Sequence, residues 1–434
     1  MNVEHHYEDI LELQMARHCQ NELLNIDGEL DIHSGDTYTV QQAVNLLGFG
    51  WFHVKLSLLV GLCWMADSME MTILSIIGPT MQCEWEISTF QKALLTTIVF
   101  LGMMISPTFW SQLSDRYGRK SALTFCGVLL VLYGLLSSVA PNFTWLIILR
   151  GLVGFSIGCV PQSVTLYAEF LPSKHKGKCV VLMDWLTESA RFHTLNGNND
   201  KAVQVLNQIA KDNNRQMLIG RLATDFETDS PLQMRTLFKP ELRKKTLLLW
   251  FLWMSCAFCY YGLVLISAEL FLKDKADAEP NHKCSRFDTK DFMDLMWITF
   301  SEFPGIFSTI AVIKRYGKKK TMALQFLIFS GCVSLLTVTK SRIYTTSVLF
   351  IARGVISGLF QAAYIYTPEI YPNNLRSLGV GGCSTIARIG AMATPFVSQV
   401  LLQSSSSGAL FVYSLVGLSA AAVCIILPDS QILA

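Results

Sequence analysis

The sequence carries little charge, and that scarcity excludes several classes of protein. Asp, Glu, Lys and Arg make up 16% of the 434 residues, against about 25% in typical soluble domains. The net charge is only +2, which argues against a nucleic-acid partner, because phosphate binding needs a basic surface. The chain also lacks a phosphate loop with its lysine, a His-Glu-x-x-His motif and a nucleophile elbow. The sequence therefore predicts neither an enzyme nor a cofactor.

The cysteines do not have the pattern of a disulfide framework or a metal centre. Eight of the 12 lie inside apolar runs, which predicts packing in a core. These eight are Cys63, Cys126, Cys159, Cys256, Cys259, Cys332, Cys383 and Cys424. One candidate disulfide joins Cys83 to Cys284, each near a predicted outer turn. No Cys-x-x-Cys pair lies outside a predicted membrane span, so we expect no metal ligands.

What the sequence has in abundance is apolar runs of about 20 residues, the length that crosses a bilayer. Hydrophobic residues make up 51% of the chain. We predict an all-α membrane protein with about ten spans, in two related helical bundles. The predicted divisions are a cytoplasmic tail with a surface helix at 1–53, a first half with four spans at 54–186, a cytoplasmic linker at 187–245, a second half with six spans at 246–427 and a cytoplasmic tail at 428–434.

Three stretches outside the spans have patterns of their own. Met1–Asp36 is polar and lacks the basic start and apolar run of a signal peptide, so it is expected to be a cytoplasmic tail. Thr39–Phe52 has apolar residues at helical spacing and is predicted to lie along the membrane surface. In the linker, an apolar helical stripe is predicted to rest on the inner membrane face. Its members are Ala202, Val205, Leu206 and Ile209.

Two short basic turns, each between two apolar runs, share one pattern. Ser111–Lys120 reads SQLSDRYGRK and Ile313–Lys320 reads IKRYGKKK. The Arg-Tyr-Gly at 116–118 recurs 199 residues later at 315–317. Because positive loops stay in the cytoplasm, both turns are placed on the inner side.

The distance from each turn to a downstream Glu-x-x-Pro is also matched. Gly118 precedes Glu169 by 51 residues, and Gly317 precedes Glu369 by 52 residues. Matched motifs at matched spacing indicate an internal repeat. Membrane proteins built from two repeated halves include many secondary transporters.

These motifs resemble the signatures of the major facilitator superfamily, in its sugar-porter and organic-ion-transporter branch. The run from Asp115 to Lys120 is similar to the signature between helices 2 and 3, and Arg150-Gly151 to the helix 4 signature. Within that branch, Thr37–Val40, Gly48–Phe52 and Ala66–Met71 resemble the synaptic vesicle 2-related group. The resemblance covers about residues 36–427.

The resemblance implies a cytoplasmic gate and a set of structural residues inside the membrane. The gate residues would be Asp115, Arg116, Gly118, Arg119, Lys120, Glu169, Glu188, Arg191, Arg315, Gly317, Glu369 and Arg376. The intramembrane structural residues would be Arg150, Gly151, Arg353 and Gly354. In this family, networks of such gate residues join the two halves in one state and separate in the other, although a static salt bridge is the alternative.

The chain departs from the family pattern after Glu169. The second half continues with two more apolar runs after its Glu-x-x-Pro, whereas the first half offers only the eight residues Cys179–Leu186, too few to span. Thr187–Arg191 then resembles the Pro-Glu-Ser-x-Arg signature that closes helix 6, with Thr187 in place of Pro. The chain therefore resembles a member without helices 5 and 6, joined near Met183–Trp185, and alternative splicing is the simplest explanation.

Two acids in the first predicted span are candidates for a solute or proton site. Asp67 and Glu70 are three residues apart and therefore share one helix face. An acid in the bilayer is costly unless it faces a cavity or a partner, so it usually marks function. The alternative is that an arginine or the backbone within the bundle satisfies both acids.

The second half contributes four further candidates. Tyr260 and Tyr261 could hold a flat or cationic solute, or they could simply pack against neighbouring helices. Glu302 lies near the middle of its span beside Pro304-Gly305, which loosen a helix locally. Arg388 could balance the intramembrane acids, or it could bind an anionic solute directly through its planar fork.

The sequence thus predicts a multi-pass membrane protein with both termini in the cytoplasm. The expected function is secondary transport of a small organic solute, with organic ions among the candidate solutes and protons as the candidate coupling ion. The alternative is a non-transporting splice product that has an interaction or regulatory role, or none. The expected partners are the solute and the lipid bilayer, and the sequence names no protein partner.

Overall fold

The computed structural model describes the backbone of residues 37–48, 50–159, 170, 190–195, 198–213, 215, 221–222, 234–278, 287–338, 341–372 and 375–428. In chain order its elements are β1 (Thr37–Tyr38), α1 (Val40–Leu47), α2 (Trp51–Glu84), α3 (Thr89–Tyr117), α4 (Arg119–Ser138), α5 (Phe143–Ile157), α6 (Ala190–Leu195), α7 (Asn199–Asp212), β2 (Arg221–Leu222), α8 (Pro240–Ala278), α9 (Thr289–Phe300), α10 (Glu302–Tyr316), α11 (Lys318–Leu335), α12 (Arg342–Ile370), α13 (Arg376–Pro395), α14 (Leu402–Ser404) and α15 (Ser406–Ile426). A 3₁₀ turn covers Met234–Phe238, and a π-helical turn covers Phe396–Leu401.

The described part of the chain is nearly all helical, as predicted for a membrane protein of this class. Within it, seven segments are long and apolar enough to cross a bilayer. They are Thr89–Ser114, Arg119–Ser138, Pro240–Lys273, Thr289–Tyr316, Arg342–Ile370, Leu378–Ser404 and Ser406–Ile426. Phe143–Ile157 is apolar but shorter. Helices also occupy the two other predicted spans, as α2 and α11.

Local sequence explains several helix boundaries. At the start of α3, the Ser88 side chain accepts from the Gln91 backbone while the Gln91 side chain accepts from the Ser88 backbone. Thr39 and Gln42 form the same capping box before α1, so two orphan backbone donors are satisfied at each helix start. The predicted surface segment at 39–52 is divided between α1, which ends at Leu47, and α2, which begins at Trp51. The apolar side of α1 is buried in protein, so its predicted contact with the membrane surface is wrong.

The two repeated basic turns have the same backbone geometry. Gly118 has φ 95° and Gly317 has φ 79°, a region that a side chain disfavours and glycine tolerates. Each glycine N–H donates to a carbonyl four residues earlier, at 3.0 Å to Ser114 and 2.9 Å to Ile313. A new helix begins at the next residue in both cases. The sequence repeat is thus also a structural repeat.

The described residues fall into two compact units. One holds the described residues of 37–53 and 190–222, and the other holds the membrane helices. In the first unit, β1 and β2 form one short parallel pair, and Ala202, Leu206 and Ile209 of α7 are completely buried. The predicted contact of this stripe with the membrane is therefore wrong, because α7 packs against α1 and α6.

In the membrane unit, neighbouring helices approach closely where glycines face backbone. A Cβ on Gly154 of α5 would lie 2.2 Å from the Val99 carbonyl oxygen of α3, and one on Gly102 would lie 2.4 Å from the Gly151 carbonyl oxygen. Only a residue without a side chain fits at such a crossing. These glycines therefore allow α3 and α5 to pack closely.

Seven of the eight cysteines assigned to apolar runs are free and buried, as expected; Cys63 has no described side chain. Cys83, at the end of α2 opposite the basic turns, is disulfide-bonded. Its predicted partner Cys284 lies outside the described residues. A disulfide is typical of an oxidising compartment, which agrees with the predicted outer position of this helix end.

Candidate functional site

The first element of the site is a buried ion pair inside the first bundle. Arg150 of α5 donates from Nη1 to Oε1 of Glu70 on α2 at 2.6 Å, and both side chains are buried. The arginine predicted to be structural therefore neutralises an acid predicted to bind solute or protons. For Glu70, the structure therefore contains the alternative arrangement, in which an arginine within the bundle pairs with the acid.

The second element is a triad inside the second bundle. Glu302 begins α10, where the span breaks at Ser301. Its Oε1 accepts from Arg353 Nε at 2.7 Å and from the Tyr260 hydroxyl at 3.1 Å. The Arg353 guanidinium also lies 4.7 Å from the centre of the Tyr260 ring, within cation–π range. Tyr260 and Glu302 are thus brought together as predicted, and Arg353 joins them.

The third element connects the two bundles at Arg388 of α13. Its Nη1 donates to the Tyr261 hydroxyl at 3.1 Å and contacts Sδ of Met103, on α3, at 3.4 Å. The Tyr261 ring lies 4.8 Å from that of Phe100, also on α3, and 5.2 Å from that of Tyr260. The rings therefore link Arg388 to the triad in one continuous polar and aromatic network.

A narrow space beside Phe100 and Tyr261 has no room for a water molecule, and Met71, Leu74 and Thr96 also border it. Through Phe100 and Tyr261, this space lies where α3 of the first bundle meets α8 of the second.

Sequence reasoning missed a fourth element, Lys92 and Glu269. Lys92 Nζ of α3 lies 2.7 Å from Glu269 Oε1 of α8, and both side chains are buried. This ion pair also joins the two bundles. The repeat contained a signal for it, because Glu269 follows Glu70 by 199 residues, the same offset as the basic turns.

Among the predicted gate residues, Glu369 has a described ion pair, with Lys318. Lys318 follows Arg119 by 199 residues, so this lysine occupies in the second turn the repeat position that Arg119 has in the first. Arg116 and Arg315 are exposed, and each lies over the ring of the tyrosine that follows it, at 5.4 and 5.6 Å.

Two of the predicted gate residues, Glu169 and Glu188, lie outside the described residues. Asp67, Asp115, Arg191 and Arg376 have a described backbone but no described side chain. The predicted gate role of Glu169 and the predicted cavity role of Asp67 therefore remain predictions. Among the described residues, no cluster of three His, Cys, Asp or Glu side chains could hold a metal ion.

Two repeated helical bundles with paired charges between membrane helices define a secondary-transporter architecture. The sequence profile described as Major Facilitator Superfamily matches residues 57–187. A synaptic vesicle 2-related protein of Pongo abelii is 46% identical over 91% of this chain and 81% of its own length. The chain belongs to the major facilitator superfamily, in the family of the synaptic vesicle 2-related proteins.

More distant relatives extend the comparison. The organic cation/carnitine transporter 7 of Arabidopsis thaliana is 30% identical over 83% of this chain and 88% of its own length. Human SVOPL is 29% identical over 89% of this chain and 90% of its own length. These matches agree with a multi-pass membrane protein of a transporter family, and the predicted family is confirmed.

Substitutions of Glu70 and Arg150 test whether the ion pair between them stabilises the first bundle. Arg150→Gln removes the guanidinium from a buried carboxylate and should lower the free energy of unfolding by about 3–5 kcal/mol. Glu70→Gln removes the carboxylate from a buried guanidinium and should be costly for the same reason. Combining both substitutions should recover most of the loss, because the attraction between the two side chains is then lost only once. Unfolding of the detergent-purified protein measures all three, and additive losses would contradict the pair.

Proposed function

We propose that this chain is a secondary transporter that carries a small organic ion by alternating access, with protons as the coupling ion. The membrane helices form two bundles, and the polar network lies between and within them. A solute held in that network would be exposed to one side of the membrane at a time. Both termini would lie in the cytoplasm, on the side of the basic turns.

The observation that carries this proposal is the position of Arg388. Its guanidinium lies where α3 of the first bundle meets α8 and α13 of the second, in contact with Met103 and Tyr261. An arginine inside the membrane is costly and usually marks a substrate or ion pathway. A group that touches both bundles can respond to their relative movement.

The chemistry of the network suits an organic ion. The planar fork of Arg388 matches a carboxylate, whereas Glu302 and the faces of Tyr260 and Tyr261 match a cationic group. The Arabidopsis relative is named for organic cations and carnitine, which supports this solute class. Glu302 and Glu70 are the acids at which a coupled proton could bind, with Asp67 as a further candidate.

Substitution of Arg388 tests the proposal in proteoliposomes containing the full chain. Arg388→Gln should lower saturable uptake of an organic anion or zwitterion by about tenfold to a hundredfold, because a charge-assisted hydrogen bond is lost. Arg388→Lys should recover only part of it, since the fork geometry is missing.

The matched control is Thr385→Ala, one turn away on the exposed side of α13, which should leave uptake unchanged. The screen would use carboxylates, quaternary amines and molecules that carry both groups. Equal uptake by Arg388→Gln and the parent chain would contradict the proposed site.

The second candidate is that this chain does not transport, and the exposure of its helices favours it. In the most apolar 18 residues of Thr289–Tyr316, only 17% of the residues are buried, whereas 78% are buried in the corresponding stretch of Pro240–Lys273. A cavity of about 190 Å³ also lies between α2 and the start of α9, lined by Pro79, Phe287 and Phe292. These exposed surfaces suit a bundle that has lost neighbouring helices.

The length of the alignment supports the same candidate. The 445 positions aligned with the Pongo abelii relative hold about 395 residues of this chain, which is 91% of 434. About 50 aligned positions therefore face a gap, roughly two spans and their connecting turn. We infer that helices 5 and 6 are the absent elements, with the join near Met183–Trp185.

Uptake by two chains separates the candidates. The first is this chain, and the second is the same chain with the relative's residues inserted at the join. Transport that appears only in the restored chain would assign this chain to the non-transporting product. Equal saturable uptake by both would eliminate that candidate, because the two extra helices would then be dispensable.

A further inference from the structure

Lys92 and Glu269 form a buried ion pair between the two bundles. The side chains are 1% and 8% exposed, and the charged atoms are 2.7 Å apart. Lys92 is near the start of α3 and Glu269 is near the end of α8, so both lie toward the side opposite the basic turns. We call this the outer side.

Other contacts join the outer ends of the helices near this pair. The Lys92 ammonium also donates to Gln82 of α2 at 3.0 Å. The Thr89 hydroxyl donates to Gln403 at 2.7 Å, and the rings of Phe90 and Phe396 lie 5.8 Å apart. The outer ends of α2 and α3 are thereby tied to α8, to the π-helical turn and to α14.

The described contacts of α3 with the second bundle lie in the outer half of the helix. They begin at Thr89 and continue through Lys92, Thr97, Phe100 and Met103. The inner half of α3 packs within its own bundle, where the Trp110 indole donates to the Phe155 carbonyl at 2.7 Å. Along α3, the two bundles are therefore joined on the outer side.

We propose that Lys92 and Glu269 form the outer gate of the transporter. The pair closes the path from the outer side to the Arg388 network, and its separation opens that path. The role of the pair as a gate rests on the proposed function, but whether the gate is open or closed can be measured without any solute.

A gate must also be able to open, and the surroundings of the pair favour that. A buried ion pair gains little net free energy, since desolvation offsets most of the attraction. Beside it, the Gln399 amide is buried in the π-helical turn and has no hydrogen-bond partner at either polar atom. The Gln399 side-chain nitrogen lies 3.7 Å from the position that a Cβ on Gly78 of α2 would occupy. The side-chain carbons of Lys92 pack against the same position. A closed state with an unsatisfied amide is held less firmly.

The test uses a cysteine placed behind the gate. Thr96 is buried one helical turn below Lys92 and borders the narrow central space, so Thr96→Cys should resist a membrane-impermeant thiol reagent added from outside. Lys92→Gln or Glu269→Gln should each raise its labelling rate by about tenfold or more, because one buried charge is left unpaired. The swapped pair, Lys92→Glu with Glu269→Lys, should restore the protection.

Two controls separate gate opening from general loosening. Val139→Cys lies in the exposed turn between α4 and α5 and should label at the same rate in every background. Asp294→Asn breaks a partly exposed outer pair with Arg342 inside the second bundle and should leave Thr96→Cys protected. Labelling that rises equally in Asp294→Asn would overturn the gate, as would unchanged labelling in both single variants.

Failure to fold would also be informative. If a single variant is not inserted, its yield should recover when the swapped partner is added, because recovery requires the two side chains to meet. Absence of both recovery and altered labelling would overturn the proposal. If Thr96→Cys is labelled as predicted in every background but the parent chain takes up no solute, the transport function is contradicted and the gate is not.

Discussion

A charged side chain inside a bilayer has to find a partner, and this constraint organises the membrane helices. Glu70 is paired with Arg150, Glu302 with Arg353 and Lys92 with Glu269. Unpaired, each group would cost several kcal/mol of desolvation. The pairs therefore connect three sets of helices: α2 with α5, α10 with α12, and α3 with α8.

The three pairs differ in what they join. Two of them lie within a single bundle and hold its helices in register. The third joins the bundles, as do the contacts of Arg388 with Tyr261 and Met103. Rigid bundles with a few polar contacts between them are suited to alternating access, because the bundles can move while their interiors stay packed.

Much of this architecture could be predicted from the sequence. Apolar length gave the spans, and the repeat of Gly118 at Gly317 gave the matched turns, because positive φ favours glycine at that point. The ionisable candidates were found because charge is rare in apolar runs. Their partners could not be assigned, since periodicity places a residue on a helix face but does not say which helix lies opposite.

The same limit explains two failures. The apolar stripe of α7 was assigned to the membrane, but protein covers it, and an apolar face does not identify its cover. Lys92 was overlooked because it lies three residues from a helix start, where a lysine is usually solvated. Glu269 lies near a helix end with Lys273 close by, and only the 199-residue offset from Glu70 distinguishes it.

The two bundles meet at their outer ends, and cross-linking tests this contact most directly. Thr89 and Gln403 are hydrogen-bonded across that interface. Cysteines at both positions should form a disulfide under mild oxidation in native membranes, detected as a linked peptide by mass spectrometry. We predict nearly complete disulfide linkage between the two cysteines in the resting protein. Linkage no greater than that of the two single-cysteine variants mixed together would contradict it.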